Sequence, residues 1–268
     1  MTGPYARAPT VELRQFGGDG EALPALICAP HAGGGAALFR TWPKALPRIA
    51  VHVLDLPGRD ARFDQPPFTR LDTLVASAAD AILPLSRRPF ALFGHSMGAL
   101  ILFETARLLR RRGVATPEHL FVSSFRAPHL PCPKPRRADM PDAMFVEEIR
   151  RINKPAFDPA EHAELLELML PTLRADFRLV ESYAFRPEPP LGCPITACGG
   201  SDDSEISEQE LREWRHHTSE TFDLMMLPGG HAYLQTQERT LLGRIHHVLA
   251  GRAAFRAGSM AAVSGVQP

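Results

Sequence analysis

Residues 90–103 read FALFGHSMGALILF and combine an apolar run, a short turn and the start of an amphipathic pattern. The run Phe90–Phe93 predicts a buried strand, and apolar residues recur every three to four positions after Ser96, which predicts a helix. Gly94 and Gly98 flank Ser96 in a GxSxG sequence. A sharp strand-to-helix turn favours glycine, because the two backbones nearly touch, and it projects the central serine at the sheet edge. We interpret Ser96 as a candidate nucleophile; the alternative is an ordinary turn with a capping serine.

The remaining chain alternates short apolar segments with helical patterns, which is typical of a parallel sheet with crossover helices. Helices are predicted over Leu71–Leu85, Met97–Arg112, Gln209–His217 and Gln235–Leu249. Seven strands are predicted near Val11–Phe16, Leu23–Ala29, Val51–Asp55, Phe90–Phe93, Leu120–Ser123, Ile195–Cys198 and Phe222–Leu227. The fold class is therefore predicted to be α/β, with a mostly parallel central sheet flanked by helices.

A proline-rich stretch interrupts this alternation. Twelve of the 26 prolines lie between Pro128 and Pro194, and proline lacks the N–H that a sheet ladder needs. Helical patterns remain at Met140–Ile152 and Glu161–Tyr183. The sequence predicts one domain whose core comprises residues 1–124 and 192–250, with a helical lid inserted at 125–191. Residues 251–268 are small and polar and are predicted to form a disordered tail.

The composition narrows the function classes. The 268 residues include 44% apolar and 22% charged residues, and 30 Lys+Arg balance 30 Asp+Glu. A formal charge of zero disfavours a nucleic-acid binder, and the apolar runs are shorter than the roughly 18 residues that span a bilayer. The N-terminus has no apolar segment, so we expect a cytoplasmic protein. The four cysteines form no CxxC pair, which favours reduced thiols.

A serine at its ordinary pKa is a weak nucleophile and needs a histidine base with an acid to orient it. On this type of sheet the expected chain order is Ser, then Asp or Glu, then His, each just past a strand. His231 follows the predicted strand Phe222–Leu227 in the sequence PGGH. Asp202 and Asp203 follow the strand before it, and either can be the acid.

A glycine-rich turn, His31-Ala32-Gly33-Gly34-Gly35, follows the second predicted strand. It lacks both the GK[ST] and the GxGxxG fingerprints of nucleotide-binding loops. Acyl transfer through a serine needs two backbone N–H groups aimed at the oxyanion. We predict that Met97 and Ala32 supply them.

The other histidines have simpler interpretations. His216–His217 and His246–His247 are neighbours on predicted helices, so the side chains of each pair diverge by about 100° and are unsuited to sharing a metal. We expect both pairs at the surface. His95 is expected to pack beside the site and not to act as its base.

Together these motifs resemble the type II thioesterases that accompany polyketide synthases and nonribosomal peptide synthetases. The resemblance covers about Leu26 to Tyr233. It rests on residues 30–34 (PHAGG) with Phe39, Arg40 and Trp42; 56–59 (LPGR) with Arg62; 94–99 (GHSMGA); 126–128 (RAP); 174–176 (RAD) with Glu181 and Tyr183; 190–195 (PLGCPI); and 228–231 (PGGH).

The resemblance implies an α/β-hydrolase fold with a helical lid, and hydrolysis of stalled or aberrant acyl groups from the phosphopantetheine thiol of acyl or peptidyl carrier proteins. It favours Asp203 as the acid through a GGxxDP-like pattern, although Ser204 replaces the proline. No metal, nucleotide or organic cofactor is required. We expect a monomer.

Several alternatives stay open. Arg110–Arg112 or Arg136–Arg137 could form a basic patch for an acidic carrier protein, or be ordinary solvated arginines. Lid side chains are expected to set the pocket depth or to form core: Met140, Met144, Phe145, Leu166, Met169 and Phe177. The same residues also suit a carboxylesterase or lipase acting on small esters and, less well, a catalytically silent binding protein.

Overall fold

The computed structural model describes residues 8–17, 23–114, 116–132, 134–152, 163–252 and 255. Its sheet has seven strands in the order β1-β3-β2-β4-β5-β6-β7. The strands are β1 (Glu12–Phe16), β2 (Ala25–Ala29), β3 (Ala50–Asp55), β4 (Phe90–His95), β5 (His119–Ser123), β6 (Ile195–Gly200) and β7 (Phe222–Leu227). Only β1 pairs antiparallel with its neighbour. The prediction of a mostly parallel sheet is confirmed.

The central strands are covered on both faces. Every residue of β2 through β6 is buried, as expected for parallel strands between two helical layers. Helices α1 (Leu71–Ile82) and α2 (Met97–Arg111) pack their apolar residues into one cluster against the sheet. On the opposite face a second apolar cluster includes Trp42, Phe93 and residues of a C-terminal helix that spans Leu234–Gly251.

Between β5 and β6 the chain forms α3 (Asp142–Ile152) and α4 (Ala163–Glu181). Residues 153–162 lie outside the described part. Phe145 and Ile149 of α3 pack with Leu166 and Leu173 of α4 in a third apolar cluster. Near the C-terminal end of α4, Leu179 packs in the first apolar cluster, which also holds residues of α1 and α2. Helix α4 therefore connects the third apolar cluster to the sheet and its helices.

Two predicted helices end earlier or change type. The helix predicted to end at Leu85 stops at Ile82 and continues as a 3₁₀ helix that contains Pro84, which has no N–H for an α-helical bond. The helix predicted over Gln209–His217 is α5 (Glu208–Arg212) followed by a 3₁₀ helix. The C-terminal helix Leu234–Gly251 is α6.

The end of the chain differs in one respect from the predicted tail 251–268. Phe255 is 3% exposed and packs in the same apolar cluster as α6. Most of the tail, residues 253, 254 and 256–268, lies outside the described part. Across the described residues, no helix is long and apolar enough to cross a membrane.

Candidate active site

The turn between β4 and α2 has the strained geometry predicted for it. Ser96 has φ 52° and ψ −118°, a left-handed conformation that costs a non-glycine residue free energy. A Cβ on Gly98 would lie 2.1 Å from the carbonyl oxygen of Ala29, and one on Gly94 would lie 2.3 Å from that of Gly98. The backbone N–H of Ser96 donates to the Ser123 carbonyl over 2.7 Å. These contacts hold Ser96 at the carboxyl edge of the sheet.

His231 bridges Ser96 and Asp203. Its Nε2 is 3.0 Å from Ser96 Oγ, and its Nδ1 is 2.9 Å from Asp203 Oδ2. The Asp203 side chain is 1% exposed, and its Oδ1 accepts the backbone N–H groups of Glu205 and Ile206. Asp202 is exposed. The geometry therefore favours Asp203 over Asp202 as the orienting acid.

The backbones of the loops that carry Asp203 and His231 are in direct contact. The N–H of Asp202 donates to the Gly229 carbonyl over 2.9 Å. A Cβ on Gly200 would lie 2.2 Å from the same carbonyl oxygen, so only glycine fits there. The distance between acid and base is thus set by main-chain contacts.

The glycine-rich turn after β2 lies beside Ser96. Ala32 and Met97, the predicted oxyanion-hole residues, line one cavity with Ser96 and His231. A carboxylate holds the turn in place: Asp176 Oδ2 accepts the backbone N–H of Gly33 over 2.7 Å. The amide of Gly33 is adjacent to Ala32, so Asp176 on α4 constrains the group predicted to bind the oxyanion.

Asp176 is itself held by a buried arginine. Arg59 donates to both carboxylate oxygens, over 2.7 and 2.9 Å, and also to the Gly34 carbonyl over 3.2 Å. The two side chains are 3% and 2% exposed. Sequence reasoning assigned neither residue a role, because they lie 117 positions apart and nothing local pairs them. The signal that could have found them is that both stand in motifs that carry the family resemblance, residues 56–59 and 174–176.

Three histidine rings surround the site. His95 lies between His31 and His231, at centroid distances of 5.8 and 5.6 Å. Its Nδ1 contacts Ser123 Oγ, which in turn contacts Tyr233 Oη at 2.7 Å. Burial lowers the pKa of His95 well below its ordinary value. Burial, with His231 and Arg59 nearby, lowers the pKa of His31 to about 4. Both rings are neutral at pH 7.

One expectation about the remaining histidines is wrong. His217 is 7% exposed and packs against Phe103 and Trp214 with its ring 2.8 Å from that of His129. His217 was expected at the surface because adjacent helical histidines are unsuited to sharing a metal. That reasoning did not consider which side of the 3₁₀ helix faces the core. His216 is exposed, as is His247, whereas His246 is half-buried.

The cavity in front of Ser96 has a volume of about 940 Å³, including its opening to solvent. One wall is apolar and comes mainly from α3 and α4, with Ile149, Ile152, Leu173, Phe177 and Val180. Of the six side chains predicted to set its depth, Phe177 lines it. Phe145 and Leu166 are buried in the outer apolar cluster, Met140 and Met169 pack against that cluster, and Met144 is exposed.

Four of the five arginines in the predicted basic clusters form ion pairs within the protein, and the fifth, Arg136, is exposed. Arg110 and Arg111 both pair with Glu188, and Arg112 pairs with Asp80. Arg137 is 9% exposed and pairs with Glu148 and Glu205. Arg137 is therefore unsuited to a surface patch, because its guanidinium is turned inward. Within the described ranges, no group of three or more His, Cys, Asp or Glu side chains is arranged to hold a metal ion.

Comparison with known proteins gives one consistent family. The family described as Thioesterase domain matches residues 24–249. A relative from Brevibacillus parabrevis, named linear gramicidin dehydrogenase LgrE, is 43% identical over 233 residues, covering 85% of this chain and 89% of that protein. That name belongs to the relative and is not carried over to this chain.

Solved structures agree with that family. The thioesterase RedJ from the prodiginine biosynthetic pathway of Streptomyces coelicolor superposes with a TM-score of 0.79 at 38% identity, covering 84% of this chain and 85% of RedJ. YbtT, a type II thioesterase from the yersiniabactin NRPS/PKS pathway, superposes with a TM-score of 0.77 at 32% identity over 92% and 98% of the two chains. With this family match over most of its length, the chain belongs to the thioesterases and is a hydrolase that acts on thioesters.

Proposed function

We propose that the protein hydrolyses stalled or aberrant acyl groups from the phosphopantetheine thiol of acyl or peptidyl carrier proteins, through an acyl-serine intermediate. The observation that carries this proposal is the position of His231, which is within hydrogen-bond distance of both Ser96 and Asp203 at the edge of a partly apolar cavity. The relatives from NRPS and PKS pathways support the carrier-bound substrate.

In the acylation step, Ser96 Oγ attacks the thioester carbonyl carbon while His231 Nε2 takes its proton. Asp203 accepts the Nδ1 proton of His231 and keeps the ring in the tautomer whose Nε2 can accept. The backbone N–H groups of Met97 and Ala32 donate to the oxyanion of the tetrahedral intermediate. The carbon–sulfur bond then breaks, and His231 returns the proton to the leaving thiolate.

Deacylation uses the same groups. His231 removes a proton from a water molecule as that water attacks the acyl-serine carbonyl, and the second tetrahedral intermediate has its oxyanion at the same two N–H groups. Collapse of the intermediate returns the proton to Ser96 Oγ and releases the carboxylic acid. The two steps together consume one water molecule and release one thiol and one carboxylic acid, and Ser96 and His231 return to their starting protonation states.

We propose further that residues 125–191 act as the lid and acyl chamber on a core of residues 1–124 and 192–250. The apolar wall from α3 and α4 supports this division, because these helices contribute side chains to the cavity and also share their own apolar cluster. When an acyl chain packs along that wall, its apolar surface is removed from water. This burial contributes about 25 cal/mol per Å² to the free energy of binding.

The first test is hydrolysis of an acyl group from a carrier protein, with Ser96→Ala as the matched variant. We expect the wild type to release the acid and to gain the mass of the phosphonyl group when treated with a fluorophosphonate. Ser96→Ala should do neither. Thioester hydrolysis by Ser96→Ala at the wild-type rate would contradict the mechanism.

A comparison of leaving groups separates the proposal from a carboxylesterase or lipase. Acyl-carrier, acyl-coenzyme A and simple oxygen esters with the same acyl group share the acyl-serine step, so only their relative kcat/KM values differ. We expect the acyl-carrier to be the preferred substrate. A preference for oxygen esters would favour the esterase, and failure of all three with an unreactive Ser96 would favour a binding protein.

The proposed partner is one carrier domain bound to a monomeric enzyme. Size-exclusion chromatography with light scattering should give a mass near 29.5 kDa for the free chain. A stable dimer would contradict the monomer.

A further inference from the structure

Most charged side chains that line the cavity have partners within the protein. Glu205 pairs with Lys134 and Arg137, over 2.8 and 2.9 Å. Glu181 accepts the backbone N–H groups of residues 137 and 138, and Glu210 accepts from Ser207 in a capping box at the start of α5. These groups are satisfied without a ligand.

Arg126 is the exception among the charged lining residues of the described part. It is 8% exposed, and its Nε donates to the Leu130 carbonyl over a long 3.3 Å. Its guanidinium carbon is 5.4 Å from the centre of the Phe125 ring. The terminal nitrogens, Nη1 and Nη2, have no acceptor among the described residues, and no carboxylate there pairs with the charge.

The backbone that carries Arg126 is fixed on both sides. The carbonyl of Phe125 accepts the indole N–H of Trp214 over 2.7 Å, and the N–H of Ala127 donates to the Glu210 carbonyl over 3.2 Å. Trp214 is fully buried. The backbone position of Arg126 is therefore fixed by hydrogen bonds at both neighbouring residues.

Arg126 lines the cavity in front of Ser96, where its terminal nitrogens have no protein acceptor among the described residues and can donate to a ligand atom. Binding cavities are mostly apolar but hold a few fixed polar groups that orient the ligand. We propose that Arg126 is a substrate-binding residue whose terminal nitrogens bind an oxygen of the acyl-phosphopantetheine substrate, either a carbonyl oxygen within the acyl chain beyond the thioester or an oxygen of the phosphopantetheine arm beyond its cysteamine amide. This inference rests on the proposed function and names the part of the substrate that the cavity recognises.

The two sources of the oxygen are separated by four substrates. Butyryl and 3-oxobutyryl groups have the same chain length, and the second carries an additional carbonyl. Each is attached to N-acetylcysteamine and to 4′-phosphopantetheine, which differ in the length of the arm and in the phosphate. The enzymes are the wild type, Arg126→Met, Arg126→Lys and, as a surface control, Arg244→Met; Arg244 is half-exposed on α6 and pairs with Asp223.

The measured quantity is the ratio of kcat/KM between two substrates of one enzyme. The ratio is independent of the concentration of folded enzyme, so partial unfolding of Arg126→Met does not affect it. A hydrogen bond to a charged donor contributes enough to change such a ratio by about 10-fold or more. If the acyl chain supplies the oxygen, Arg126→Met should lower the ratio of kcat/KM for 3-oxobutyryl to that for butyryl by this factor, whether the thiol is N-acetylcysteamine or 4′-phosphopantetheine. If the arm supplies it, the phosphopantetheine to N-acetylcysteamine ratio should fall for both acyl groups.

Arg126→Lys should recover part of either ratio, since the ammonium restores a charged donor, and Arg244→Met should match the wild type. Both ratios unchanged in Arg126→Met would overturn the inference. If the wild type hydrolyses none of the four thioesters, the proposed function fails. The inference is then decided by dissociation constants of the four thioesters, measured by calorimetry in a Ser96→Ala background. Their ratios between substrates replace the ratios of kcat/KM.

Discussion

At the residue scale, the choice between the two aspartates depends on a backbone turn. Both follow β6, so position along the chain does not separate them. In the structure Asp203 turns inward, where Glu205 and Ile206 donate to its second oxygen, and Asp202 turns outward. The contact between Ser96 and His231 was predictable because its signals are local: a GxSxG turn and a histidine just past a strand.

Asp203→Asn should therefore lower kcat by several orders of magnitude, about 10⁴-fold, because the amide favours the wrong tautomer of His231. Asp202→Asn, the adjacent control, should change kcat little. Steady-state kinetics on one thioester checks both variants. The opposite pattern would reassign the acid.

Gly98 in the turn and Gly243 on the surface of α6 form a matched pair. Gly98→Ala should push α2 away from Ala29, since the added Cβ would meet its carbonyl oxygen at 2.1 Å. We expect a loss of both fluorophosphonate labelling and thermal stability. Gly243→Ala, on α6 with nothing within 4 Å of the added Cβ, should be stabilising by about 0.5–1 kcal/mol through helix propensity. Equal thermal unfolding midpoints for the two variants would contradict the close-approach argument.

At the element scale, α4 does more than form a wall of the cavity. Its Asp176 holds the Gly33 amide, and its Thr172 donates to the Gly58 carbonyl over 2.8 Å. Both contacts reach loops at the carboxyl edge of the sheet, one after β2 and one after β3. The strands themselves were predicted well, because burial on both faces produces continuous apolar runs. The helix-to-loop contacts were not predicted, because they join residues over 100 positions apart.

Asp176→Asn tests the role of α4 in positioning. The amide keeps the size of the side chain but presents a donor to Arg59 or to Gly33, so we expect the oxyanion loop to shift and kcat to fall at least about 10-fold with a smaller change in KM. Rates are to be expressed per active site titrated with fluorophosphonate, which corrects for unfolded protein. Glu167→Gln, an exposed position on the same helix, is the control.

Breaking this buried pair also destabilises the fold, by about 3–5 kcal/mol in comparable cases. A purely structural role would lower the number of titrated sites and leave the turnover per site unchanged. That result would remove Asp176 from the list of positioning residues. A fall in turnover per site is the expected outcome.

At the scale of the whole molecule, buried histidines make stability depend on pH. Burial lowers the pKa of His52, His119 and His217 to about 4 in the folded chain, against about 6.5 when unfolded. The unfolded chain therefore binds more protons between these values. Stability from these neutral rings is complete above pH 6.5 and is lost as the pH falls toward 4.

Urea unfolding at pH 7.5 and pH 5 checks this prediction. Each such histidine should contribute a slope of up to about 1.4 kcal/mol per pH unit within the window. His119→Gln should flatten the dependence by about one proton, whereas His247→Gln, at an exposed position, should leave it unchanged. A free energy of unfolding that stays constant from pH 7.5 to 5 would contradict the assignment.

The whole-molecule arrangement was predictable only in part. The helices α3 and α4 between β5 and β6 were predictable, because the proline-rich stretch between the predicted strands leaves helical patterns and no strand pattern. The inward turn of Arg137 and the burial of His217 did not follow, because each depends on partners from distant segments: Glu148 and Glu205 for the first, and Phe103 and Phe185 for the second.

The Asp176–Arg59 pair has a consequence for engineering the enzyme. An exchange of α4 with that of a relative, intended to alter acyl preference, would also replace the side chain that holds the loop predicted to bind the oxyanion. We therefore expect acyl preference and turnover to change together when α4 is exchanged. A chimera that transfers α4 with residues 31–34 and 57–59 as one unit should keep its turnover, whereas a graft of α4 alone from a donor without the aspartate should lose it.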